Sequence, residues 1–419
     1  MTTKNNILAG YKDSAVGIIP QEWEVKYLGD LLSRLANGLT YDVSITSGYP
    51  ISRIETISSG EINYLKVGYI NNVSGCESYK MQKGDILYSH INSLAHVGKV
   101  AYYDGKPELY HGMNLLLMRA NDKVDSNYLY AYLLTSQAKH IAQVIAKPAV
   151  NQASISISDI RKIKLAVPPM EEQRKIAEIL GVWDEAIEKQ SRLIEKLELR
   201  KRALMQRLLT GRTRLPGFNT PWQKVKLGEI GKFDKGVGVP KEKIVSEGCK
   251  AITYGEIYTK YDYVIKDFAS YIDSDTAQTS KQISSGAILF AGSGETLEDI
   301  GKCVAFIDND KAYAGGDIII FNPTIEVDSL VLSYILNSPV AIAQKRRYGQ
   351  GHSVVHIYQK DLARIEFELP SLPEQKAIAE GLTTADDEIA THRKKLDALR
   401  LQKRGLMQQL LTGKTRVKI

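Results

Sequence analysis

The feature that most constrains this chain is an internal repeat of about half its length. The segment from Gln173 to Arg214 aligns without gaps to the segment from Gln375 to Arg416, at a constant offset of 202, and 20 of the 42 aligned positions are identical. Shorter matches extend the repeat toward the N-terminus, where KGDIL matches SGAIL and WEVKYLGD matches WQKVKLGE. Repetition on this scale predicts two copies of one structural unit rather than unrelated domains.

The composition is that of a globular protein, with 43% hydrophobic and 25% charged residues. Three widely separated cysteines, Cys76, Cys249 and Cys303, favour neither disulfides nor a cysteine zinc site, which is typical of a reducing cytoplasm. The N-terminal stretch has no apolar core, and the chain has no apolar run of membrane-spanning length, so neither secretion nor membrane insertion is expected. The net charge of +7 permits a nucleic-acid partner without requiring one.

The C-terminal part of each copy predicts a very long helix. PPMEEQ and PSLPEQ place proline before acidic first turns, and Gly211 and Gly413 supply the expected stops about 39 residues later. Apolar residues between these signals alternate steps of three and four, which is a heptad pattern. The predicted helix-pairing positions are Ile176, Leu180, Trp183, Ile187, Ile194, Leu197, Leu204 and Leu208 in the first copy, and Ile378, Leu382, Ile389, Leu396, Leu399, Leu406 and Leu410 in the second.

Such a stripe also suits a core-facing helix of a bundle, but two equal long helices with matching polar breaks favour pairing with each other. Chain connectivity predicts an antiparallel coiled coil with one globular unit at each end, related by an approximate two-fold axis, and a C-terminus that returns to the first unit. A register centred near residue 192 would set Trp183 opposite Lys403 and Ala385 opposite Lys201. Lysine stems would then lie along apolar neighbours.

The remaining parts of the two copies predict mixed α/β units. Short β-branched or aromatic runs are separated by glycine, and the segments Asp125 to Ile145 and Asp328 to Arg347 have the caps and periodicity of amphipathic helices. The fold class is therefore mixed α/β with an internal repeat. The expected segments are 1–168 (first globular domain with the N-terminal stretch), 169–214 (first helix), 215–370 (second globular domain) and 371–419 (second helix).

The sequence contains none of the common catalytic or cofactor-binding motifs in a complete form. The GKT at Gly413 lacks the upstream glycine and the preceding strand of a P-loop, no GxGxxG opens a helix after a strand, and HExxH does not occur. We therefore expect a binding protein without a metal or cofactor. A coiled-coil scaffold that lacks sequence-specific DNA binding remains an alternative, whereas a self-contained methyltransferase is disfavoured because its cofactor and catalytic motifs are absent.

The combination of the WEVKYLGD opening, KGDIL, VGK, the PPMEEQRKIAEIL helix entry and the LMQRLLTGRTR exit, each recurring in the second copy, resembles type I restriction-modification DNA specificity subunits. The resemblance runs from about Tyr11 to the C-terminus. It implies that the globular units are target recognition domains and that the long helices are spacer regions. It further implies a subunit without a catalytic site, which brings two methyltransferase subunits, and restriction subunits in the full complex, to an asymmetric bipartite target in double-stranded DNA.

Candidate DNA-reading residues lie in polar loops near the ends of predicted strands. Lys, Arg, Asn and Gln side chains can read base edges, and aromatic and hydroxyl groups accompany them. The alternative for each position is an ordinary solvated loop residue. The predicted DNA-binding residues are Ser89, His90, Asn92, Lys99, Lys147, Asn151 and Gln152 in the first copy, and Tyr254, Tyr258, Lys260, Ser293, Thr296, Lys302, Arg346, Arg347, Tyr348, Gln350 and His352 in the second.

Overall fold

The structure is a computed structural model that describes residues 9–149, 152–351 and 354–419. The chain divides into two compact units, Met1–Ser191 together with Lys394–Ile419, and Arg192–Arg393. Each unit contains one globular part and a part of both long helices.

The first unit begins with its globular part and continues into the first long helix. Its strands are β1 (Tyr11–Lys12), β2 (Ile19–Pro20), β3 (Glu24–Tyr27), β4 (Leu32–Asn37), β5 (Tyr49–Ile51), β6 (Gly68–Ile70), β7 (Ile86–Tyr88), β8 (Ile91–Asn92), β9 (Val100–Tyr102), β10 (Leu116–Ala120), β11 (Lys147–Ala149), β12 (Gln152–Ser154) and β13 (Lys164–Val167). Its helices are α1 (Ser126–Leu133), α2 (Ser136–Ile145), α3 (Ile157–Arg161) and the start of α4 (Met170–Leu208).

The second unit follows the same order. Its strands are β14 (Gln223–Lys226), β15 (Gly231–Lys235), β16 (Ile244–Val245), β17 (Cys249–Ile252), β18 (Ser270–Ile272), β19 (Lys281–Ile283), β20 (Ala287–Ala291), β21 (Ser293–Gly294), β22 (Cys303–Phe306), β23 (Ala312–Ala314), β24 (Ile318–Pro323), β25 (Val355–His356) and β26 (Glu366–Leu369). Its helices are α5 (Tyr254–Thr259), α6 (Ser274–Thr279), α7 (Ser329–Leu336), α8 (Pro339–Tyr348), α9 (Gln359–Leu362) and the start of α10 (Leu372–Leu410). Short 3₁₀ turns lie at Leu28–Leu31, Ile54–Ile57, Tyr64–Lys66, Glu77–Tyr79, Leu227–Glu229 and Lys241–Lys243.

The same framework is built twice. A four-stranded antiparallel sheet has the order β4-β10-β7-β9 in the first unit and β15-β24-β20-β22 in the second. Each unit also has a two-stranded sheet, β3 with β13 or β14 with β26, whose later strand ends shortly before the long helix begins. The units differ in their remaining sheets. The first unit has a two-stranded sheet, β5-β6, whereas the second has a five-stranded sheet of order β16-β18-β17-β23-β19. The predicted mixed α/β class with an internal repeat is confirmed.

The two amphipathic helices predicted from the globular segments are each divided in two, so the prediction of continuous helices was wrong. In the first unit the carboxylate of Asp125 accepts backbone N–H groups at the start of α1, and the hydroxyl of Thr135 then accepts the N–H of Ala138 at the start of α2. Asp328 and Ser338 cap α7 and α8 in the same way. A hydroxyl residue in extended conformation ends one helix and caps the next, which the apolar periodicity did not reveal.

Both long helices have the predicted length of 39 residues. None of the predicted helix-pairing side chains is exposed. Ten are buried, namely Ile176, Leu180, Ile194, Leu197, Leu208, Ile378, Leu382, Ile389, Leu396 and Leu410. The other five, Trp183, Ile187, Leu204, Leu399 and Leu406, are partly buried.

Ion pairs show that the long helices run antiparallel within each unit. Moving back along the first helix, the partners lie further along the second, since Glu198 pairs with Arg393 in the second unit and Glu172 pairs with Arg416 in the first. In the first unit Lys403 pairs with Asp184, the neighbour of Trp183 in sequence. In the second unit Lys201 pairs with Asp386, the neighbour of Ala385. The register expected from the sequence is therefore correct to within one residue, although the lysines meet carboxylates there.

A buried glutamate near the start of each long helix accepts hydrogen bonds from an arginine and a tryptophan of the same unit. In the first unit the Nε and Nη2 of Arg416 donate to the two carboxylate oxygens of Glu172 over 2.7 and 3.0 Å, and the indole N–H of Trp23 donates to the same group over 3.0 Å. In the second unit Arg214 and Trp222 bind Glu374 in the same way. The C-terminus thus returns to the first unit as predicted, and the repeated Trp, Glu and Arg motifs are explained by one cluster.

Candidate nucleic-acid interface

In the first unit, two predicted reading segments that are far apart in sequence lie side by side. Strand β8 pairs with β12, so that Asn92 lies opposite Ala153, and β12 also pairs with β11, so that Lys147 lies opposite Ser154. Lys99 is attached to the same region, since its backbone carbonyl accepts the N–H of Ser89 over 2.8 Å. The fold therefore gathers these candidates into one three-stranded sheet and its adjoining loop.

The first-unit candidates differ in their access to solvent. Lys147 and Gln152 are exposed and Asn92 is half-buried, so these three side chains can approach a ligand. Ser89 is buried and accepts a hydrogen bond from the amide of Asn92 over 3.2 Å. The ammonium of Lys99 donates to the carbonyl of Ser58 over 2.6 Å, which holds a neighbouring loop in place.

His90 is only 7% exposed, and its Nδ1 has no hydrogen-bond partner in the structure. Burial lowers the pKa of this imidazole to about 4, so it is neutral at physiological pH. It supports the loop from inside rather than facing solvent. Asn151 lies outside the described residues.

In the second unit the equivalent segments also pair. Strand β21 pairs with β25, so that Ser293 lies opposite His356, with its Oγ 2.9 Å from the Nδ1 of the imidazole. The hydroxyl of Tyr258 donates to the carbonyl of Ser293 over 3.0 Å. An isolated bridge joins Gln350, which is exposed, to the other side of His356.

A cavity of about 440 Å³ opens beside this small sheet. Four predicted residues line it, namely Tyr254, Tyr258, Ser293 and Thr296. Glu295, which lies within the predicted stretch from Ser293 to Thr296, also lines it, as do Asp299 and Val354, which sequence reasoning missed. Carboxylates accept hydrogen bonds from base amino groups, so acidic residues in such a loop can read bases as well as basic ones.

The other predicted DNA-binding residues of the second unit either lie away from this cavity or already bind other groups of the protein. Lys302 donates to the carbonyl of Tyr261 over 2.7 Å, and burial lowers the pKa of its ammonium. Lys260 is exposed but lines a separate cavity of about 610 Å³ beside the long helices of its unit. Arg346 lies 3.8 Å from Glu298 at the surface.

Arg347 and Tyr348 line a different surface of the second unit, which includes Lys224 and Glu366. The structure therefore does not bring these two residues together with the cavity that holds Tyr254. His352 lies outside the described residues.

The two small sheets occupy equivalent places in the repeat. The pair Ile91 and Ser154 of the first unit corresponds, at the offset of 202, to the pair Ser293 and His356 of the second. Applying this offset to Ser154, two residues after the predicted Gln152, would have pointed to His356 from the sequence alone.

Other binding chemistry is not evident in the part of the chain that the structure describes. Within residues 9–149, 152–351 and 354–419, no group of three or more His, Cys, Asp or Glu side chains could hold a metal ion. Cys76, Cys249 and Cys303 are free thiols. None of the helices in these ranges is long and apolar enough to cross a membrane.

Comparison with known proteins follows the same repeat. The family model "Type I restriction modification DNA specificity domain" matches residues 20–199 and again residues 219–401. The "Putative type I restriction enzyme MjaX specificity subunit" of Methanocaldococcus jannaschii is 36% identical over 432 aligned residues, which span 97% of both chains.

Two solved structures share the fold at 16% sequence identity. A type I restriction-modification S subunit from M. genitalium superposes with a TM-score of 0.58 over 98% of each chain. A structure described as "Structural basis underlying complex assembly and conformational transition of the type I R-M system" gives a TM-score of 0.59 over 95% of this chain and 99% of the other. The doubled family match and the close relative over nearly the full length show that this chain belongs to the family of type I restriction-modification DNA specificity subunits.

Proposed function

We propose that this chain reads an asymmetric bipartite sequence in double-stranded DNA, with one half-site bound by each unit. Its target recognition domains are residues 1–168 and 215–370, and its spacer helices are residues 169–214 and 371–419. It docks two methyltransferase subunits, and restriction subunits in the full complex, and it carries no catalytic site or cofactor of its own.

The observation that carries this proposal is the pairing of the candidate segments in both units. The exposed side chains of Lys147 and Gln152 adjoin Asn92 in the first unit. These are the side-chain types that read guanine and adenine edges in the major groove. A scaffold without DNA specificity would not need to gather polar side chains at equivalent places in both units.

Unequal half-sites follow from the unequal chemistry at those places. The first unit offers an ammonium and two amides, whereas the second offers Tyr254, Thr296 and the carboxylate of Glu295 around its cavity. Donors favour acceptor-rich base edges such as guanine O6 and N7, while carboxylates favour amino groups such as cytosine N4. The two units should therefore select different bases.

The test is to map methylated genomic positions in cells that express the methyltransferase partner with or without this chain. We expect a split motif that appears only when the chain is present. The variant Lys147→Ala/Gln152→Ala should relax one half of the motif and leave the other half unchanged. Lys139→Ala, which removes an exposed lysine of α2 outside the small sheet, is the matched control and should retain the whole motif.

Gel shifts with purified components supply a second measurement. The chain together with the methyltransferase should retain a duplex that carries the mapped motif in preference to a scrambled duplex. Methylation or binding without sequence preference would contradict the proposal and favour the scaffold alternative.

A further inference from the structure

A turn that follows the first strand of each small sheet carries an exposed leucine. This turn joins β8 to β9 in the first unit and β21 to β22 in the second, and the strand pairings show that it is one residue longer in the second unit. Counting back from the Gly-Lys pair that ends both turns, Leu94 corresponds to Leu297. These leucines are 54% and 41% exposed.

Leucine is the only residue that the two turns share among four exposed positions. Residues 93–96 have the sequence SLAH and residues 296–299 have the sequence TLED, and all eight are exposed. A single exposed leucine is ordinary on a protein surface, but its recurrence among changed neighbours is not explained by chance exposure. Residues that read a half-site are expected to differ between the units, so an identical residue indicates a contact with a feature that both half-sites share.

The turn of the first unit is held at its base and at its tip. The N–H groups of His96 and Val97 donate to the carbonyl of Ser93 over 2.8 and 2.9 Å, and Val97 is wholly buried. The side-chain amide of Gln143, on α2, donates to the carbonyl of Leu94 over 3.3 Å. A turn that is already ordered loses little conformational freedom when it presses a side chain against a ligand.

The turn of the second unit is held by different contacts. Ile300 is 2% exposed, and the ammonium of Lys302 donates to the carbonyl of Tyr261 over 2.7 Å. Helix α8 ends against the turn at Gly349, where an added Cβ would lie 2.7 Å from the Cδ2 of Leu297. The two units thus reach the same placement of the leucine through different neighbours.

Both leucines adjoin the candidate reading groups. Asn92 lies two residues before Leu94, and Thr296 and Asp299, on either side of Leu297 in the sequence, line the cavity of the second unit. Leucine cannot donate to a phosphate or read a polar base edge. A thymine methyl group would offer it an apolar contact, but both half-sites would then need that base. The apolar surface that every duplex offers is the stack of base pairs, and leucine is among the side chains that enter between base pairs and partly unstack them.

We propose that Leu94 and Leu297 are wedges, each of which enters the DNA between two neighbouring base pairs at its half-site. This inference rests on the proposed function, because it requires that the turns lie against DNA. The wedges contribute affinity and bend the duplex without selecting a base. The side chains around them differ between the units and select the bases.

The experiment measures binding of the full chain, together with its methyltransferase, to a duplex that carries the mapped motif. Leu94→Ala should weaken binding about 10-fold, which is the effect of losing roughly half of the apolar contact of a leucine. Leu297→Ala should do the same at the other half-site. The matched control is Leu134→Ala, which makes the same change at a leucine that is 41% exposed outside the turn and should leave the affinity unchanged. Leu94→Met keeps a long apolar side chain and should restore most of the affinity.

Two further measurements are specific to a wedge. The fluorescence of 2-aminopurine rises when this base is unstacked, so it is placed in turn at the adenines of the first half-site and its flanks, except the methylated one. Fluorescence should rise at one of these positions with the wild-type chain and stay low with Leu94→Ala. The bend of the duplex, measured by energy transfer between dyes at its ends, should decrease in the variant, while the methylated motif in cells should stay the same.

Unchanged affinity and fluorescence in Leu94→Ala, or an equal loss of affinity in Leu134→Ala, would overturn the inference. Relaxation of one base of the motif would also overturn it, since the leucine would then read a thymine methyl group. A reduced amount of copurified methyltransferase would overturn it as well, because the leucine would then contact a protein. These outcomes leave the proposed function intact, whereas a wild-type complex that binds motif and scrambled duplexes equally would refute the proposed function itself.

Discussion

Replacing Glu172 tests whether its buried carboxylate holds the two ends of the chain together in the first unit. Its side chain is fully buried, and it holds both the guanidinium of Arg416, near the C-terminus, and the indole of Trp23, near the N-terminus. The substitution Glu172→Ala leaves the indole N–H of Trp23 and the Nε and Nη2 of Arg416 without their acceptor, whereas the Nη1 of Arg416 still donates to Glu22. The chain ends that this residue joins should therefore separate more readily.

The magnitude follows from the exposure of each donor. Removing one partner of a buried ion pair costs about 3–5 kcal/mol. Arg416 is 35% exposed and can regain some water, which lowers the loss, but Trp23 is wholly buried and its unpaired N–H costs about 1–3 kcal/mol. We expect a destabilisation of about 4 kcal/mol. Glu185→Ala, which removes an exposed pair with Lys189 on the same helix, should cost at most about 0.5 kcal/mol.

The assay must report the first unit alone, because a chain with two compact units need not unfold in one step. Hydrogen exchange followed by mass spectrometry over residues 9–30 and 405–419 measures local opening at the cluster. Glu172→Ala should raise exchange there and leave residues 215–230 protected. Glu374→Ala should do the reverse, since it removes the equivalent carboxylate of the second unit.

A double-mutant cycle separates the ion pair from the other contacts. Glu172→Ala and Arg416→Ala should be coupled by about 2–3 kcal/mol, because the bidentate pair is lost with either residue. If Glu172→Ala costs no more than Glu185→Ala, or if exchange near the two chain ends is unchanged, the cluster does not close the unit and the reasoning is refuted.

Burial lowers the pKa of His90 and of His111 to about 4, so the folded first unit binds fewer protons than the unfolded chain between about pH 6.5 and pH 4. The free energy of unfolding of this unit should therefore fall as the pH falls through that range, by about 3 kcal/mol for each imidazole. With leucine at both positions, the urea concentration at the midpoint of unfolding should depend less on pH. Gly98 has φ +81°, and an added Cβ would lie 2.7 Å from a methyl carbon of α2, so Gly98→Ala should lower the melting temperature more than Gly60→Ala, where φ is +87° but no atom lies within 4 Å. Lys302→Met should increase hydrogen exchange in α5 and the turn after it, because the ammonium donates to backbone carbonyls there; unchanged exchange would show that this lysine does not position the segment.

The long helices were the most predictable part of the chain because their signals are local and repeated. A heptad pattern over 39 residues, proline and acids at the start, and glycine at the end leave few alternatives. The break between α1 and α2 was missed because a single threonine cap outweighs an apolar periodicity that continues through it. Local patterns therefore predicted the type and length of an element better than they predicted where a helix is interrupted.

The pairing of β21 with β25 was beyond local patterns, because its strands are two residues long and far apart in sequence. Neither strand has enough residues to show alternation, so only the tertiary structure sets Ser293 beside His356. The repeat offset of 202 nevertheless relates this pair to Ile91 and Ser154, which lie within two residues of the predicted Asn92 and Gln152. Long-range pairing becomes predictable when one copy of a repeat is already understood.

Because the fold is duplicated, comparing the equivalent residues of the two units indicates what a position does. Glu172 and Glu374 are identical and buried because the same cluster closes each unit. Ile91 and Ser293 occupy the same place in the small sheets and yet differ, which is expected where each unit contacts a different sequence.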